Sequence, residues 1–328
     1  MAKSINNKLK TLYIMDMLME KSDEEHRISI KAMLDMLEAN GISADRKTLY
    51  DDIESLKVWG MDILYSKEKP AGYYVGSRQF ELPELKLLVD AVQSSRFITV
   101  KKSRELIKKL ESLASSEEAK ELQRNVHMVN RVKTINESIY YNVDKIHDAV
   151  LHDRRISFIY YKWNTDKELV ARNGGKPFEV SPWALTWDDE NYYMIGFDEY
   201  SAEVKHYRVD KMQDITITEE RRAGEEAFKN FDMAIFAKNT FGMYGGRVES
   251  VTLEFDNKLI GVVMDRFGTE VIIQKAGEKH FRVRHDVRIS GQFYGWLAGL
   301  GADVKIIHPQ SVIDSYKEFI SGVLENYR

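Results

Sequence analysis

Apolar residues recur at helical spacing through the first sixty positions and then give way to alternation. Leu9, Leu12, Tyr13 and Met17, followed by Ile30, Met33, Leu34 and Leu37, predict two amphipathic helices, and Asn40-Gly41 closes the second. Leu49, Ile53 and Leu56 predict a third helix, with Ser43 as its N-cap and Asp45 in the first turn, where the helix dipole favours an acid. Its opposite side carries Lys47 and Tyr50, flanked by Arg46. Ile63 to Tyr65 and Tyr73 to Val75 then read as two short strands, joined by Ser66 to Gly72 with Lys67 and Lys69 near the tip.

Further on, Leu82-Pro83-Glu84 opens a mostly helical stretch to about Val150, with stripes at Leu85, Leu88, Val89 and Val92 and at Leu106, Ile107, Leu110 and Leu113. From Ile156 the texture changes to strands: 156–161, 178–185, 191–196 and 204–210, punctuated by Gly174-Gly175 and Asp188 to Asn191. They predict a small, strongly twisted β-sheet or barrel. After about Val248 strands and helices mix. Strands at 251–255, 271–276, 280–287 and 304–309 are interrupted by helices over 258–267 and 291–300 and followed by one from Ser311, an α+β module.

A length of 328 residues exceeds the roughly 250 to 300 at which a single core stops growing, so several domains are expected. No apolar run approaches the roughly 18 residues of a membrane span, and the first residues lack the apolar region of a secretory signal, so a soluble, cytoplasmic protein is expected. With no cysteine, the sequence excludes disulfides, thiolate metal sites and thiol catalysis together.

Three helices and a basic hairpin in this order predict a winged helix-turn-helix whose third helix enters the major groove of double-stranded DNA. Ser43, Arg46, Lys47, Thr48, Tyr50, Lys67 and Lys69 are its candidate DNA contacts. The first 80 residues nevertheless hold 12 Lys and Arg against 13 Asp and Glu. Phosphate neutralisation must come from local clustering, and a homodimer that doubles the contacts is expected.

In the middle region, period-2 alternation singles out a second set. If Tyr192 and Met194 face the core, Tyr193 faces away; by the same rule Tyr207 and Val209 go in while His206 and Arg208 emerge. If those strands are neighbours, Tyr193, His206 and Arg208 form one aromatic and basic surface, with Tyr161 as a further candidate. Such a surface suits an anion with a flat ring, a nucleotide or single-stranded nucleic acid. The plainer reading is an ordinary solvated face on which Arg208 pairs with Asp210.

Enzyme chemistry finds no support. Gly174-Gly175-Lys176 lacks the frame of a phosphate-cradling loop, the eight histidines form no zinc motif, and no nucleophile elbow occurs. Asp188-Asp189-Glu190 reads as a solvated turn, so neither metal nor cofactor is expected.

Asn191-Tyr192-Tyr193-Met194-Ile195-Gly196, His206 to Met212, Ser181-Pro182-Trp183-Ala184-Leu185, Gly291 to Val304 and Ile307-His308-Pro309 together resemble the WYL-domain transcriptional regulators of bacteria. Lys47 to Leu56 resembles the DeoR-like helix of that family. The naming triplet falls on Tyr192, Tyr193 and Met194 and keeps only its central tyrosine; Asp51 stands where relatives often carry a basic residue. The resemblance covers nearly the whole chain. It implies a nucleotide or nucleic-acid effector at the WYL domain.

The expected protein is an α+β multidomain chain: a winged helix-turn-helix over 1–78, a helical connector or dimerisation element over 79–140, a small Sm/SH3-like β-barrel WYL domain over 141–218, and an α+β C-terminal extension over 219–328. In the extension, Arg282, Arg284 and Arg288 on one strand are placed to complete the effector site or to contact the other subunit. The expected function is transcriptional regulation, an effector at the WYL domain changing DNA affinity. The alternative is an adaptor of a defence or repair system that binds nucleic acid through that domain, and a nucleotide-processing enzyme is a weaker third.

Overall fold

The computed structural model of the chain describes residues 2–122, 133–188, 190–229 and 246–328, in two compact units, 1–137 and 138–328. The first unit opens with α1 (Ala2–Lys21), α2 (Ile30–Ala39) and α3 (Arg46–Trp59), followed by an antiparallel hairpin of β1 (Ile63–Ser66) and β2 (Gly72–Val75). Ile14, Leu18, Met33, Leu37, Leu49 and Ile53 are sealed between these elements. Ile28 exchanges backbone hydrogen bonds of 2.8 and 2.9 Å with Tyr73, which adds a short third edge to the hairpin.

Two local expectations change here. The cap of α3 is Asp45, not Ser43: Asp45 has the extended backbone of a cap (φ −112°, ψ 166°), and its carboxylate accepts the Thr48 N–H at 2.9 Å. Ser43 lies exposed two residues upstream, out of position for the free N–H groups of the first turn. In α1, Ile14, Met17 and Leu18 are buried while Leu9, Leu12 and Tyr13 stay 39–50% exposed. The helix carries two overlapping apolar stripes, and packing against α2 and α3 selects the one led by Ile14 and Leu18.

Among the described residues, three more helices follow in the unit: α4 (Leu82–Ser94), α5 (Val100–Glu111) and α6 (Ser116–Leu122), packed around Leu85, Val89, Ala114 and Leu122. The expected helical stretch also runs through 123–132, which lie outside the described residues.

The second unit begins with α7 (Ile139–Leu151), followed by β3 (Arg154–Trp163), β4 (Leu169–Ala171), β5 (Phe178–Asp188), β6 (Asn191–Asp198), β7 (Glu203–Arg208) and β8 (Met212–Arg221). These six strands form one sheet in the order β4-β3-β5-β6-β7, with β8 also paired to β3. Because β3 is long, its first half pairs with both β5 and β8 and its end pairs with β4, which curls the sheet. Asn142 and Lys145 dock α7 by donating to the carbonyls of Met212 and Ile215, each at 2.8 Å. β4 and β8 escape the sequence reading, β4 for its shortness and β8 because Asp214 and Glu219 to Arg221 interrupt its alternation.

After α8 (Glu225–Lys229) come β9 (Val248–Asp256), α9 (Ile260–Phe267), β10 (Ile273–Ala276), β11 (His280–Arg288), α10 (Gly291–Gly299), β12 (Val304–His308) and α11 (Gln310–Glu325). Their four strands form a separate sheet, β10-β11-β9-β12. Val251, Leu253 and Phe255 of β9 alternate into a core shared with Val263, Phe281, Phe293 and Leu297. On the other face of β11, Arg282 pairs with Glu254 at 2.7 Å, Arg284 donates to the Ser250 hydroxyl and Arg288 to the Gly246 carbonyl. Among the described residues no helix is long and apolar enough to cross a membrane.

Candidate functional site

β6 and β7 are antiparallel neighbours, with Tyr193 opposite Arg208 and Ile195 opposite His206, so these four side chains share one face. The rings of Tyr193 and His206 meet edge-on with centroids 6.2 Å apart. Met194, Tyr207 and Val209 turn to the other side and are buried, as alternation requires.

Tyr193 does not emerge into solvent. It is only 8% exposed and packs with Ile195, Ala184, Val204 and Phe228. The cause is α8, which lies against β7 and carries Phe228 over this face, so β6 is covered on both sides. Tyr192, expected in the core, is half-buried against the edge of Trp187, with centroids 4.7 Å apart.

Arg208 carries the accessible charge. Its Nε and one terminal nitrogen donate to the two Asp210 oxygens at 2.9 and 2.8 Å, and that terminal nitrogen also donates to Asn191 Oδ1 at 2.8 Å. This fork fixes the plane of a guanidinium that remains one-third exposed. The bonds to Asp210 outweigh burial and raise its pKa above the ordinary arginine value. The plainer sequence reading, pairing of Arg208 with Asp210, therefore holds alongside the shared face.

Two further cations lie near Arg208. Burial, with the positive charges of Arg208 and Arg172, pulls the Lys211 ammonium below its ordinary pKa, while Asp210 acts in the opposite sense. Arg172 lies over the ring of Tyr160, 5.8 Å from its centroid. The Tyr160 hydroxyl in turn accepts the Arg208 backbone N–H at 3.1 Å. Burial raises the pKa of both Tyr160 and Tyr207, keeping them neutral beside Phe158 and Phe178. Arg208 and Lys211 thus lie beside Asp210, while Arg172 also borders a cavity lined by Glu179, Asp198 and Glu199.

Tyr161 is half-buried opposite Ala171 on the β3–β4 pairing, apart from the Tyr193 face. The sequence reading missed four contributors as site residues. Lys211 and Asn191 sit inside motifs it had already quoted. Tyr160 and Arg172 reach the site through contacts between β3, the β4–β5 loop and the end of β7, which no local pattern encodes. Of the acidic turn, Asp188 and Glu190 are described, Asp189 lies outside the described residues, and among the described residues no acidic or histidine cluster has metal-site geometry.

In the first unit, Arg46, Lys47 and Tyr50 are exposed on α3, with Thr48 half-buried at the cap. Lys67 and Lys69 are exposed at the hairpin tip. The acids of α3 matter less than their number implies. Lys10 pairs with Asp52 at 2.7 Å, and Lys57 pairs with Glu54 at 2.7 Å. What remains at the start of the helix is Arg46 and Lys47 against Asp45 and Asp51, two cations and two acids.

Comparison with known proteins assigns the second unit its class: a WYL domain matches residues 141–217 and a WCX domain residues 247–324. The β6–β7 face described above lies within the WYL domain. No curated protein matches the chain. Among solved structures it is similar to proteasome accessory factor B/C (PafBC) of Arthrobacter aurescens, with 16% identity, a TM-score of 0.28, 97% of this chain covered and 48% of that one. The chain thus spans about half the length of PafBC. It is also similar to a CRISPR Cas-related protein, with 13% identity, a TM-score of 0.37, and 75% and 71% of the two chains covered.

Proposed function

We propose that this chain is a cytoplasmic, sequence-specific DNA-binding transcriptional regulator, not an enzyme, that acts as a homodimer and responds to an anionic effector at its WYL domain. In this reading the first three helices and hairpin are a winged helix-turn-helix, ending near residue 78. Residues up to about 140 connect it to an Sm/SH3-like barrel ending near 218, and the rest is the C-terminal extension. Arg46, Lys47, Thr48 and Tyr50 enter the major groove, Ser43 reaches a flanking phosphate, and Lys67 and Lys69 lie along the backbone.

The observation that carries the proposal is the fixed guanidinium of Arg208 opposite Tyr193, with the Lys211 ammonium beside it. A guanidinium held in plane and partly exposed is pre-organised for a phosphate of a nucleotide or single-stranded nucleic acid. His206 lines the same face, Tyr193 is its wall, and Tyr161 is a peripheral contact. The effector alters DNA affinity by binding two arrangements of the dimer unequally.

The test is selection of bound duplexes from fragmented genomic DNA at about 0.15 M salt, where non-specific binding is weakened. Wild type is compared with the Arg46→Ala, Lys47→Ala double variant and, with single-stranded oligonucleotide added, with Arg208→Ala. A shared two-fold symmetric motif recovered by wild type and Arg208→Ala but not by the double variant supports the DNA reading. Its release by oligonucleotide from wild type but not from Arg208→Ala supports the effector site. Equal recovery of unrelated duplexes by all three proteins rejects the regulator and favours the adaptor.

A further inference from the structure

α5 places Lys101, Arg104 and Lys108 at positions i, i+3 and i+7, one stripe along its surface. Together with Lys133 they border a cavity of about 620 Å³, within the range of small-ligand sites. It belongs to the first unit and shares no residue with the face around Arg208.

The charges of this cavity do not cancel internally. Of its two acids, Glu137 pairs with Lys101 at 3.3 Å, and Glu105 pairs with Lys102, outside the lining, at 3.2 Å. Arg104 and Lys108 are exposed and have no carboxylate partner among the described residues. Lys133 gives its ammonium to three neutral acceptors: the carbonyls of Val92 (3.2 Å) and Ser95 (2.9 Å) and the Ser103 hydroxyl (2.8 Å). Those bonds hold its position at the end of α4 but leave its charge uncompensated, and burial lowers its pKa accordingly.

The cavity also has an apolar side. Val100 is 52% exposed and Ile135 is 67% exposed, and both line it. Two large aliphatic side chains beside three unneutralised cations match a ligand with both characters.

We infer that this cavity binds a phosphate monoester carrying a short apolar body, its dianionic head between Arg104 and Lys108 and its body against Val100 and Ile135. Arg104 supplies a planar fork for two phosphate oxygens, Lys108 a mobile point charge, and Lys133 a fixed positive field without further hydrogen bonds. A monocarboxylate neutralises one of these three charges, a phosphate monoester two. The site is thus a second anion site, in the unit that holds the candidate DNA contacts, and it stands whether or not the WYL-domain reading does.

The experiment is calorimetric titration of the full chain at low salt with hexyl phosphate, inorganic phosphate and hexanoate. Hexyl phosphate is expected to bind more tightly than either of the others. Arg104→Ala with Lys108→Ala is expected to weaken it about tenfold or more, two charge-assisted contacts being lost. Ile135→Ser is expected to weaken hexyl phosphate but leave inorganic phosphate unchanged, and Arg208→Ala, which removes the candidate phosphate contact of the WYL domain, isolates the cavity and is expected to keep the preference for hexyl phosphate. Arg104, Lys108 and Ile135 are exposed, so the variants at these positions are expected to unfold at the wild-type midpoint. Absence of hexyl phosphate binding, equal affinity in the Arg104/Lys108 variant, or loss of binding in Arg208→Ala overturns the proposal.

Discussion

The hydroxyl of Tyr160 in β3 accepts the backbone N–H of Arg208 at the end of β7, at 3.1 Å. Tyr160 is buried among Phe158, Phe178 and Tyr207, so this bond ties the position of the charged residue to the aromatic core. Tyr160→Phe keeps the ring and removes the acceptor, leaving a partly buried N–H unpaired. The expected loss is about 1 to 3 kcal/mol in urea unfolding. Because Asp210 still holds the guanidinium, anion binding is expected to weaken less than in Arg208→Ala, which a parallel oligonucleotide titration would show.

Asp210 both aims Arg208 and offsets its charge. Asp210→Asn keeps a hydrogen-bonding group of similar shape and removes the negative charge among Arg208, Lys211 and Arg172. At low salt, affinity for a single-stranded oligonucleotide is expected to rise by on the order of 1 kcal/mol, the upper value for an exposed ion pair, and to depend more steeply on salt. A fall in affinity would mean that orientation of the fork outweighs its neutralisation.

The cap of α3 is separable from its neighbours. Asp45→Ala removes the acceptor for the Thr48 N–H and is expected to cost about 1 kcal/mol in thermal or urea unfolding. Ser43→Ala, outside the helix, is expected to stay within about 0.5 kcal/mol of wild type. Equal effects would place the helix start two residues earlier.

In the proposed reading, Lys67 and Lys69 meet DNA only through phosphates. If both are engaged, replacing the pair with alanine lowers the slope of log K against log salt by roughly 1.8, with no change in the preferred sequence. Fluorescence anisotropy at several salt concentrations measures it. An altered base preference would instead assign the hairpin a groove contact.

Acid stability in the first unit depends on Asp23. Burial alone would raise its pKa, but the Ser115 hydroxyl (2.6 Å), the His26 backbone N–H (2.8 Å) and the His26 ring outweigh burial and hold it below the ordinary 3.8. A depressed carboxylate stabilises the fold above its unfolded pKa, and that stability is lost as pH falls through the folded value, here below about 4. Ser115→Ala removes the closest donor. It is expected to cost about 1.5 to 3 kcal/mol near neutral pH and to move the acid limb of the unfolding profile upward. An unmoved acid limb would show that another group governs it.

Much of this was legible in the chain. Leu49, Ile53 and Leu56 define the inward face of α3 unambiguously, because three apolar positions at helical spacing face one charged side. The β6–β7 alternation placed Met194, Tyr207 and Val209 inside and put Tyr193 and Arg208 on a common face. In α1, by contrast, the periodicity allowed two stripes. Residue type puts the cap of α3 at Ser43, and only the backbone angles at Asp45 move it two residues on.

The sequence by itself determined the order of helices and strands, the charged side of α3 and the identity of Arg208 as a candidate, since these follow from periodicity and side-chain chemistry along short segments. Tertiary structure alone decided that α8 covers Tyr193, that Tyr160 reaches Arg208 across 48 positions, and that Lys133 leaves its charge beside α5. Each of those outcomes depends on which distant segment competes best for a given surface or hydrogen-bonding group. That competition is settled by three-dimensional packing and has no period in the chain.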